Sequence, residues 1–362
     1  MASSATDPKN HSVADCPDAM TPPSPTRARA ASARTRRQVL TAAGCALLSA
    51  PSLLRAAEAL RFDGPWGETM LDRPARRVVS LGYTTQDPLL ALGVVPLAVR
   101  EWFGGRPHAA WPWAEERLGG AAPLVLTGEV SMELVAGLAP DLIVGIGSGI
   151  SRAEYELLSR IAPVLMQAPG QPAFGTPWQA DTRRIARATG QSDRAEHLIA
   201  GVEERFAAAR ARHPGWQGAT AVAAWQNGGQ TGAFMPGDSR AQFFAGLGFG
   251  LPPALQELAA VDGFYTTLSP EDLSPLDADL LVWISSFSGA EAIATLPMRR
   301  TLQAHLEGRE VFADEVTAAA LSFGSVLSLP FALDRLEAEI TAALDGDPQT
   351  VVPSARAAGL LP

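Results

Sequence analysis

Short continuous runs of apolar residues alternate along this chain with segments in which apolar residues recur at helical spacing. Residues 142–146 (LIVGI) form a continuous run of the kind shown by a strand that is covered on both faces. Residues 84–92 carry apolar residues at helical spacing and stop at Gly93, where a helix is expected to end. This alternation predicts an α/β protein with parallel sheets. Strands are predicted at 77–81, 94–99, 142–146, 163–166, 219–225, 280–284 and 311–313, and helices at 84–92, 131–138, 152–160, 239–247, 269–276, 296–306 and 322–344.

The middle of the chain has a different pattern. Residues 178–212 contain no proline, place apolar residues at helical spacing and are richly charged elsewhere, which predicts one long helix, or two that are interrupted near Gly190. Because strand and helix units lie on both sides of it, we expect two Rossmann-like lobes with parallel sheets, joined by a long bridging α-helix. The predicted divisions are a disordered leader with a signal peptide at 1–59, an N-terminal lobe at 60–177, the bridging helix at 178–213, a C-terminal lobe at 214–346 and a tail at 347–362.

An internal repeat gives each predicted lobe one copy of the same segment. Residues 130–148 (VSMELVAGLAPDLIVGIGS) align without a gap with residues 268–286 (LSPEDLSPLDADLLVWISS). Each copy predicts a short capped helix followed by a buried strand, so the repeat indicates two copies of one supersecondary unit. Identical pairs include Ser131 and Ser269, Glu133 and Glu271, Leu138 and Leu276, Asp141 and Asp279, Leu142 and Leu280, Val144 and Val282, and Ser148 and Ser286.

The helix start is especially well specified in the second copy. Ser269 can cap it, Pro270 suits the first helical position, and Asp272 sits where a reciprocal capping side chain would. In both copies a glutamate, Glu133 or Glu271, falls in the first turn. An acid there complements the helix dipole by about 0.3–1 kcal/mol, which explains the residue type but not the matched placement. Two outward carboxylates at equivalent positions would suit a two-fold symmetric partner.

Composition narrows the class of protein. With 362 residues, of which 47% are hydrophobic, the chain can bury a substantial core. The net charge of −9 argues against nucleic acid as a partner, because binding of phosphates requires clustered lysine and arginine. Both cysteines, Cys16 and Cys45, lie in the predicted leader, so the mature protein is expected to be free of thiols, which suits an oxidising compartment.

The leader carries the features of an export signal. Arg36 and Arg37 directly precede the apolar run 39–54, and residues 57–59 (AEA) supply the small-x-small pattern that signal peptidase cleaves. We therefore expect export to the periplasm by the twin-arginine route, with cleavage after Ala59. Pro51 interrupts the apolar run, which is short for a membrane-spanning helix. Lipid attachment at Cys45 is an alternative that the sequence leaves open.

The repeat also carries a resemblance to a known family. Residues 130–134 (VSMEL) and 138–144 (LAPDLIV) resemble the signature of substrate-binding proteins of iron-siderophore and cobalamin ABC importers. The similarity extends over essentially all of residues 62–344. Further matching segments are 63–80, 89–99, 160–164 and 296–312. The chain departs from the hydroxamate-binding members at 127–129 (TGE), where an arginine is expected, and at Arg299, where tryptophan is frequent.

The resemblance implies a function and partners. In such proteins a rigid helix bridges two lobes, the ligand lies in the cleft, and one glutamate per lobe contacts arginine pockets on a dimeric permease. By motif position these glutamates are Glu133 and Glu271. The resemblance implies a monomeric periplasmic protein that captures a ferric siderophore, delivers it to an ABC permease dimer in the cytoplasmic membrane, needs no cofactor and is not an enzyme. Cobalamin and haem are alternative ligands of similar bulk.

Candidate ligand-binding residues lie in loops that follow strands. Ligands of open parallel sheets bind outside the carboxyl ends of the strands, and large rings bury much area at low entropic cost. Trp111 has an equal alternative as an anchor packed on its own lobe, whereas Arg106 suits an anionic ferric complex. The predicted ligand-binding residues are Trp102, Arg106, Trp111, Trp225, Tyr265, Phe287 and Phe323.

Two rival functions find less support in the sequence. Direct capture of a bare metal ion needs several converging ligands, but the histidines after the leader are few and scattered. An exported enzyme on the same fold is the rival from another class. Ser148 is flanked by Gly147 and Gly149, yet the G-x-S-x-G spacing is absent, as are the glycine-rich nucleotide-binding loops.

Overall fold

The predicted apolar runs form strands of two five-stranded sheets, at both central and edge positions. The computed structural model describes residues 59–284 and 289–362, and all of them belong to one compact unit. The strands are β1 (Leu60–Gly64), β2 (Gly67–Leu71), β3 (Val78–Ser80), β4 (Ala98–Arg100), β5 (Leu124–Leu126), β6 (Leu142–Val144), β7 (Val164–Leu165), β8 (Ala221–Asn227), β9 (Gln230–Phe234), β10 (Tyr265–Leu268), β11 (Leu280–Ile284) and β12 (Glu310–Ala313).

The α-helices lie between these strands in the chain. Those of the N-terminal lobe are α1 (Gln86–Ala91), α2 (Met132–Gly137) and α3 (Arg152–Leu158). The bridge consists of α4 (Trp178–Thr189) and α5 (Ser192–Arg212). Those of the C-terminal lobe are α6 (Ser239–Gly246), α7 (Pro253–Gln256), α8 (Ala290–Ala294), α9 (Gln303–Leu306), α10 (Glu315–Phe323), α11 (Ser328–Ala343) and α12 (Pro353–Ala357). In the part of the chain that the structure describes, no helix has the length and apolar character to cross a bilayer.

The two sheets correspond strand by strand. The first has the order β5-β4-β3-β6-β7 and is parallel throughout, and the second has the order β10-β9-β8-β11-β12. Strands β8, β11 and β12 are parallel, whereas β9 runs antiparallel to both β8 and β10. The two-lobed α/β class is confirmed, but an all-parallel second sheet is not. A Gly228-Gly229 turn with positive φ at both residues closes the β8–β9 hairpin, which the sequence analysis overlooked.

The bridge is two helices and not one. Gly190 adopts a left-handed conformation (φ 71°) and ends α4, as the predicted interruption required. Helix α5 has 21 residues and is therefore about 30 Å long. Its first turns pack Ala195 into the core of the N-terminal lobe, and its later turns pack Phe206 into the core of the C-terminal lobe. A single helix thus shares its apolar face between both lobes.

The predicted helix of the second repeat copy is wrong. In the first copy α2 forms, and Ser131 caps it by accepting a hydrogen bond from the backbone of Leu134 (3.3 Å). In the second copy the chain forms a turn and a short 3-10 helix, Ser274–Leu276. Pro275 stands where the first copy has Gly137, and a proline at this interior position would remove a helical hydrogen bond and clash with the preceding turn.

Local side chains stabilise that turn instead. Ser269 accepts from the backbone N–H of Glu271 at 3.3 Å, and Asp272 accepts from that of Ser274 at 2.9 Å. Asp272 therefore does not reach back to form the predicted reciprocal cap.

Two further predicted helices are broken. The segment 296–306 divides into a 3-10 helix, Pro297–Thr301, and α9, where Asp277 accepts from the first two backbone N–H groups. The segment 322–344 overlaps the end of α10 and all of α11, because Gly324 (φ 53°) ends α10. Both breaks occur at helix caps, Asp277 at the start of α9 and Gly324 at the end of α10, which cannot be recognised from the spacing of apolar residues alone.

The repeated aspartates have a structural role. Asp141, just before β6, accepts from the backbone N–H of Arg77 at 2.7 Å, beside the start of β3. Asp279, just before β11, accepts from the backbone N–H of Thr220 at 2.7 Å, beside the start of β8. Because β6 and β11 take the same place in their sheets, the two aspartates fix the same strand junction in each lobe.

Candidate functional site

A cavity of about 910 Å³ lies between the two lobes, with the bridging helices along one side. The N-terminal lobe contributes Tyr83 and Trp102, the bridge contributes Trp178, and the C-terminal lobe contributes Tyr265 and Phe323. This volume falls within the range of sites that enclose small organic ligands, and a wall that combines aromatic rings with polar groups is typical of such sites. The arrangement can bind a bulky guest without reacting with it.

The wall of the N-terminal lobe is built from loops at the carboxyl ends of its strands, as expected. Tyr83 follows β3, Trp102 follows β4 and Gly147 follows β6. The loops after β3 and β6 approach closely, since a Cβ atom on Gly82 would lie only 2.0 Å from the carbonyl oxygen of Ile146. Glycine is therefore required at position 82 for this wall to form.

An aromatic group forms one side of the cavity. The ring of Tyr83 lies 6.0 Å from that of Trp102 and 6.3 Å from that of Phe174, centroid to centroid. Phe174 stacks nearly parallel to Tyr83 and is exposed. The guanidinium of Arg100 lies 4.7 Å from the centroid of the Tyr83 ring, and Arg100 itself does not line the cavity. Tyr83 and Phe174 were not among the predicted residues, although both are aromatic residues in loops.

The structure brings together three of the predicted ligand-binding residues. Trp102, Tyr265 and Phe323 all line the cavity, and Trp102 and Phe323 face one another across the lobes with ring centroids 5.7 Å apart. Phe287 lies outside the described residues. The others, Arg106, Trp111 and Trp225, do not line the cavity.

Trp111 is a packed anchor that does not line the cavity, but it packs against both lobes and not only against its own. Its side chain is 1% exposed, and its ring stacks on Trp113 at 5.5 Å. Phe323 of the C-terminal lobe packs edge-on against it at 6.2 Å. Arg106 covers the Trp111 ring at 4.7 Å and pairs with Glu315 of the C-terminal lobe at 3.3 Å. Both residues therefore contact the C-terminal lobe, Trp111 through an aromatic contact and Arg106 through an ion pair, and neither lines the cavity.

Trp225 does not line the cavity but contacts Tyr265, which does. It lies on β8, and its ring meets that of Tyr265 edge-on at 5.9 Å. Its indole nitrogen is buried and has no hydrogen-bond partner among the described residues. The placement makes Trp225 a support for Tyr265.

A buried ion pair borders the cavity on the C-terminal lobe. Asp238 caps α6, and both its oxygens accept from Arg240 at 2.7 Å. The guanidinium of Arg240 also stacks on Phe234, 3.7 Å from the ring centroid. Both residues line the cavity, and the sequence signal for them was an Asp-Ser pair before an apolar helix. Since each charge satisfies the other, this pair offers a guest hydrogen bonds without a net charge.

Two further aspartates were missed because each lies on an apparently ordinary helix. Asp87, on α1, is buried, accepts from the indole of Trp113 at 2.7 Å and from the hydroxyl of Ser325 in the C-terminal lobe, and burial raises its pKa to about 7. Asp181, on α4, lines the cavity, and burial raises its pKa to about 8. Asp181 falls four residues before the buried Ile185, so helical spacing could have identified it as a carboxylate on an apolar face.

The repeated glutamates both face solvent. Glu133 lies in the first turn of α2 and Glu271 in the turn that follows β10. Neither forms an ion pair with another described residue. Within residues 59–284 and 289–362, no group of three metal-ligating side chains is close enough to hold an ion.

Two α/β lobes over a large cavity define a solute-binding protein of the two-lobed type. The chain belongs to the periplasmic binding protein family, whose model matches residues 78–319. The resemblance inferred from residues 130–144 is therefore confirmed. A curated relative, a probable siderophore-binding lipoprotein of Bacillus subtilis (strain 168), is 27% identical over 226 residues, which are 58% of this chain and 63% of the relative.

Solved structures support the same fold. A periplasmic solute-binding protein of Mycobacterium smegmatis is 33% identical, and the alignment covers 79% of this chain and 99% of that one with a TM-score of 0.71. PiaA of Streptococcus pneumoniae in complex with ferrichrome is 23% identical over 79% and 99% of the chains, with a TM-score of 0.67. SirA of Staphylococcus aureus complexed with staphyloferrin B is 20% identical over 80% and 100%, with a TM-score of 0.65.

Proposed function

We propose that the protein is the solute-binding component of an ABC importer, which captures a ferric siderophore between its lobes and delivers it to a membrane permease. The observation that carries this proposal is the aromatic-walled cavity of about 910 Å³. Such a volume accepts a compact iron complex of several hundred daltons, and the rings bury its organic surface. No step alters the ligand.

Related proteins support the choice of ligand class. The Bacillus subtilis relative is named a probable siderophore-binding lipoprotein, although the alignment spans only 63% of it. Proteins of the same fold have been solved with ferrichrome, staphyloferrin B and ferrioxamine B. The proposal therefore names ferric siderophores as the ligand class and leaves the type of iron-binding group to experiment.

A titration of tryptophan fluorescence tests the proposal. Trp102 and Trp178 line the cavity, so a bound ferric complex should quench their emission. The panel comprises ferric hydroxamate, catecholate and carboxylate siderophores, with cobalamin and haem as competing ligand classes. Saturable quenching by a ferric siderophore that mass spectrometry then recovers unchanged supports the proposal. Tight binding of cobalamin or haem alone, or conversion of the ligand, contradicts it.

Docking on the permease uses the two repeated glutamates. Glu133 and Glu271 are exposed and free of ion pairs with described residues, as carboxylates that meet basic pockets on a partner should be. Each belongs to the same repeat unit of its lobe, so a dimeric permease can bind both at once. The protein acts as a monomer in this complex.

The protein works outside the cytoplasm. Family membership and the lipoprotein named among its relatives support an extracytoplasmic location. The leader directs export through Arg36 and Arg37 by the twin-arginine route and is cleaved after Ala59, with lipid attachment at Cys45 as the competing form. Mass spectrometry of the mature protein distinguishes the two, because cleavage after Ala59 gives an N-terminus at Leu60 and lipidation leaves an acylated cysteine.

A further inference from the structure

Asp181 is a carboxylate without a partner in the wall of the cavity. It lies in the first turn of α4, and its Oδ1 atom is enclosed and accepts no hydrogen bond from a described residue. Burial raises the pKa of Asp181 to about 8, so the fold disfavours its charge when the cavity holds no guest. An enclosed acceptor without a hydrogen-bond donor lowers the stability of the fold, so its position in the wall of the cavity suggests that a bound guest supplies the donor.

The other acidic residues of the wall have a hydrogen-bond partner or are exposed to solvent. Asp238 is paired with Arg240, and Glu203 is exposed and accepts from Gln179 at 3.3 Å. Asp262 is also exposed and therefore solvated. Among the described acidic residues that line the cavity, Asp181 alone is enclosed and unpaired.

The positive charge of Arg184 acts on Asp181, but its guanidinium is bonded to backbone carbonyl groups. Arg184 lies one helical turn from Asp181 and acts on it electrostatically, which lowers the aspartate pKa and partly opposes the effect of burial. However, the Arg184 guanidinium donates from Nε to the carbonyl of Met166 at 2.7 Å and from Nη2 to the carbonyl of Asp63. Because these bonds hold the guanidinium on the backbone, Arg184 donates no hydrogen bond to Asp181, and the carboxyl group remains available to a guest.

The surroundings identify the kind of counter-charge. A bare metal ion is unsuitable, because no described group of three metal-ligating side chains exists to complete its coordination. An ammonium group needs only one carboxylate and can use ring faces as well. Trp178 lies on the same helix as Asp181, and Phe206 lines the cavity from α5.

We propose that Asp181 binds a pendant ammonium group of the guest, so that the cavity selects ferric siderophores that carry a free primary amine apart from their iron-binding groups. This inference rests on the proposed function and adds a determinant of specificity to it. The iron complex fills the wide aromatic part of the cavity, and its amine-bearing arm reaches the bridge. Acylation of that amine removes the charge and enlarges the arm.

The test compares ferrioxamine B, a trihydroxamate with a free primary amine, with its N-acetylated form, which has the same iron-binding groups. Dissociation constants are measured at pH 7.5 by tryptophan quenching and by calorimetry. The protein should bind the free amine at least about tenfold more tightly, since a charge-assisted hydrogen bond contributes on that scale. Asp181→Asn should lose this preference by weakening the free-amine complex alone.

Glu204→Gln is the matched control, because it removes an exposed carboxylate of α5 that does not line the cavity and should preserve the preference. Equal affinity of the unaltered protein for the two ligands overturns the inference and leaves the proposed function standing. Persistence of the preference in Asp181→Asn overturns it as well. If neither ligand binds, the inference falls, and binding of another ferric siderophore from the panel decides the proposed function separately. A thermal melt of each variant confirms that it is folded.

Discussion

The carboxylate of Asp87, on the first helix of the N-terminal lobe, accepts a hydrogen bond from the hydroxyl of Ser325 in the C-terminal lobe. The indole of Trp113 donates to the same oxygen and packs against Phe323 and Phe331, with ring centroids 5.4 Å away in each case. The lobes are therefore joined by the bridging helices, by this buried contact and by the Arg106–Glu315 ion pair. Such multiple connections favour a cavity that is largely formed before the guest arrives.

The raised pKa of Asp87 predicts a pH-dependent stability. The folded protein holds this proton up to about pH 7, whereas the unfolded chain releases it near the ordinary value of 3.8. The contribution of Asp87 is therefore complete below about pH 4 and is lost as the pH rises to 7, at no more than about 1.4 kcal/mol per pH unit for one proton. Asp87→Asn should lack this decline.

Urea denaturation of both proteins between pH 4.5 and 9 measures the effect. The free energy of unfolding of the unaltered protein, minus that of Asp87→Asn, should fall up to about pH 7 and then level off. Asp181 titrates in both proteins and cancels in the difference. A difference that is independent of pH would show that Asp87 is ionised in the fold.

Reversal of the repeated glutamates tests permease docking. In the double variant Glu133→Arg and Glu271→Arg, siderophore uptake by whole cells should be abolished, because like charges would meet on the permease. Ligand affinity should remain unchanged, since both residues are exposed and neither lines the cavity.

The matched control is Glu116→Arg with Glu257→Arg, which reverses one exposed glutamate per lobe outside the repeat. It should leave uptake intact. Normal uptake by the first double variant would remove the docking proposal, and loss of uptake in both would point to net charge as the cause.

The aromatic wall predicts graded losses of affinity. Tyr265→Ala should weaken ferric siderophore binding by roughly tenfold, because it deletes a ring that lines the cavity. Trp225→Ala should have a smaller effect, since Trp225 contacts Tyr265 and not the cavity. Tyr155→Ala, in a ring pair with Trp66 outside the wall, is the control and should bind normally. Unchanged affinity in Tyr265→Ala would exclude that ring from ligand contact.

The repeated aspartates predict matched losses of stability. Asp141→Ala leaves the N–H groups of Arg76 and Arg77 without their acceptor, and Asp279→Ala does the same to Thr220. Each variant should lose roughly 0.5–1.5 kcal/mol of unfolding free energy in urea titrations, because the backbone groups are exposed and water can replace the lost acceptor. Asp72→Ala, at an exposed position, should lose little. A loss in only one lobe would show that the two junctions are not energetically equivalent.

Much of the fold could be predicted because continuous apolar runs mark strands covered on both faces. Residues 142–146 and 280–284 contain β6 and β11, and Gly190 marks the break in the bridge. The second repeat helix could not be obtained by analogy with the first, since a single proline at position 275 outweighs the capping residues before it. A backbone constraint of this kind leaves the hydrophobic pattern unchanged.

The candidate site was harder to predict than the fold. The loops after β3 and β4 supply Tyr83 and Trp102 as expected for a parallel sheet. In the C-terminal lobe the antiparallel β9 places Tyr265 at the start of β10, and the wall also uses the end of α10 at Phe323. Whether a tryptophan such as Trp111 faces a cavity or a neighbouring lobe depends on tertiary contacts that one sequence does not encode locally.

The exchange of Gly137 for Pro275 between the repeat copies has a consequence for assembly. Glu133 lies in the first turn of a hydrogen-bonded helix, whereas Glu271 lies in a turn that precedes a short 3-10 helix, so the two glutamates differ in backbone conformation. The segments that carry Glu133 and Glu271 are therefore not interchangeable for a permease made of identical subunits. Under the proposed docking, the same basic pocket on each subunit has to accommodate a different backbone conformation, which makes the pseudo-symmetric complex measurably asymmetric at its two contact points.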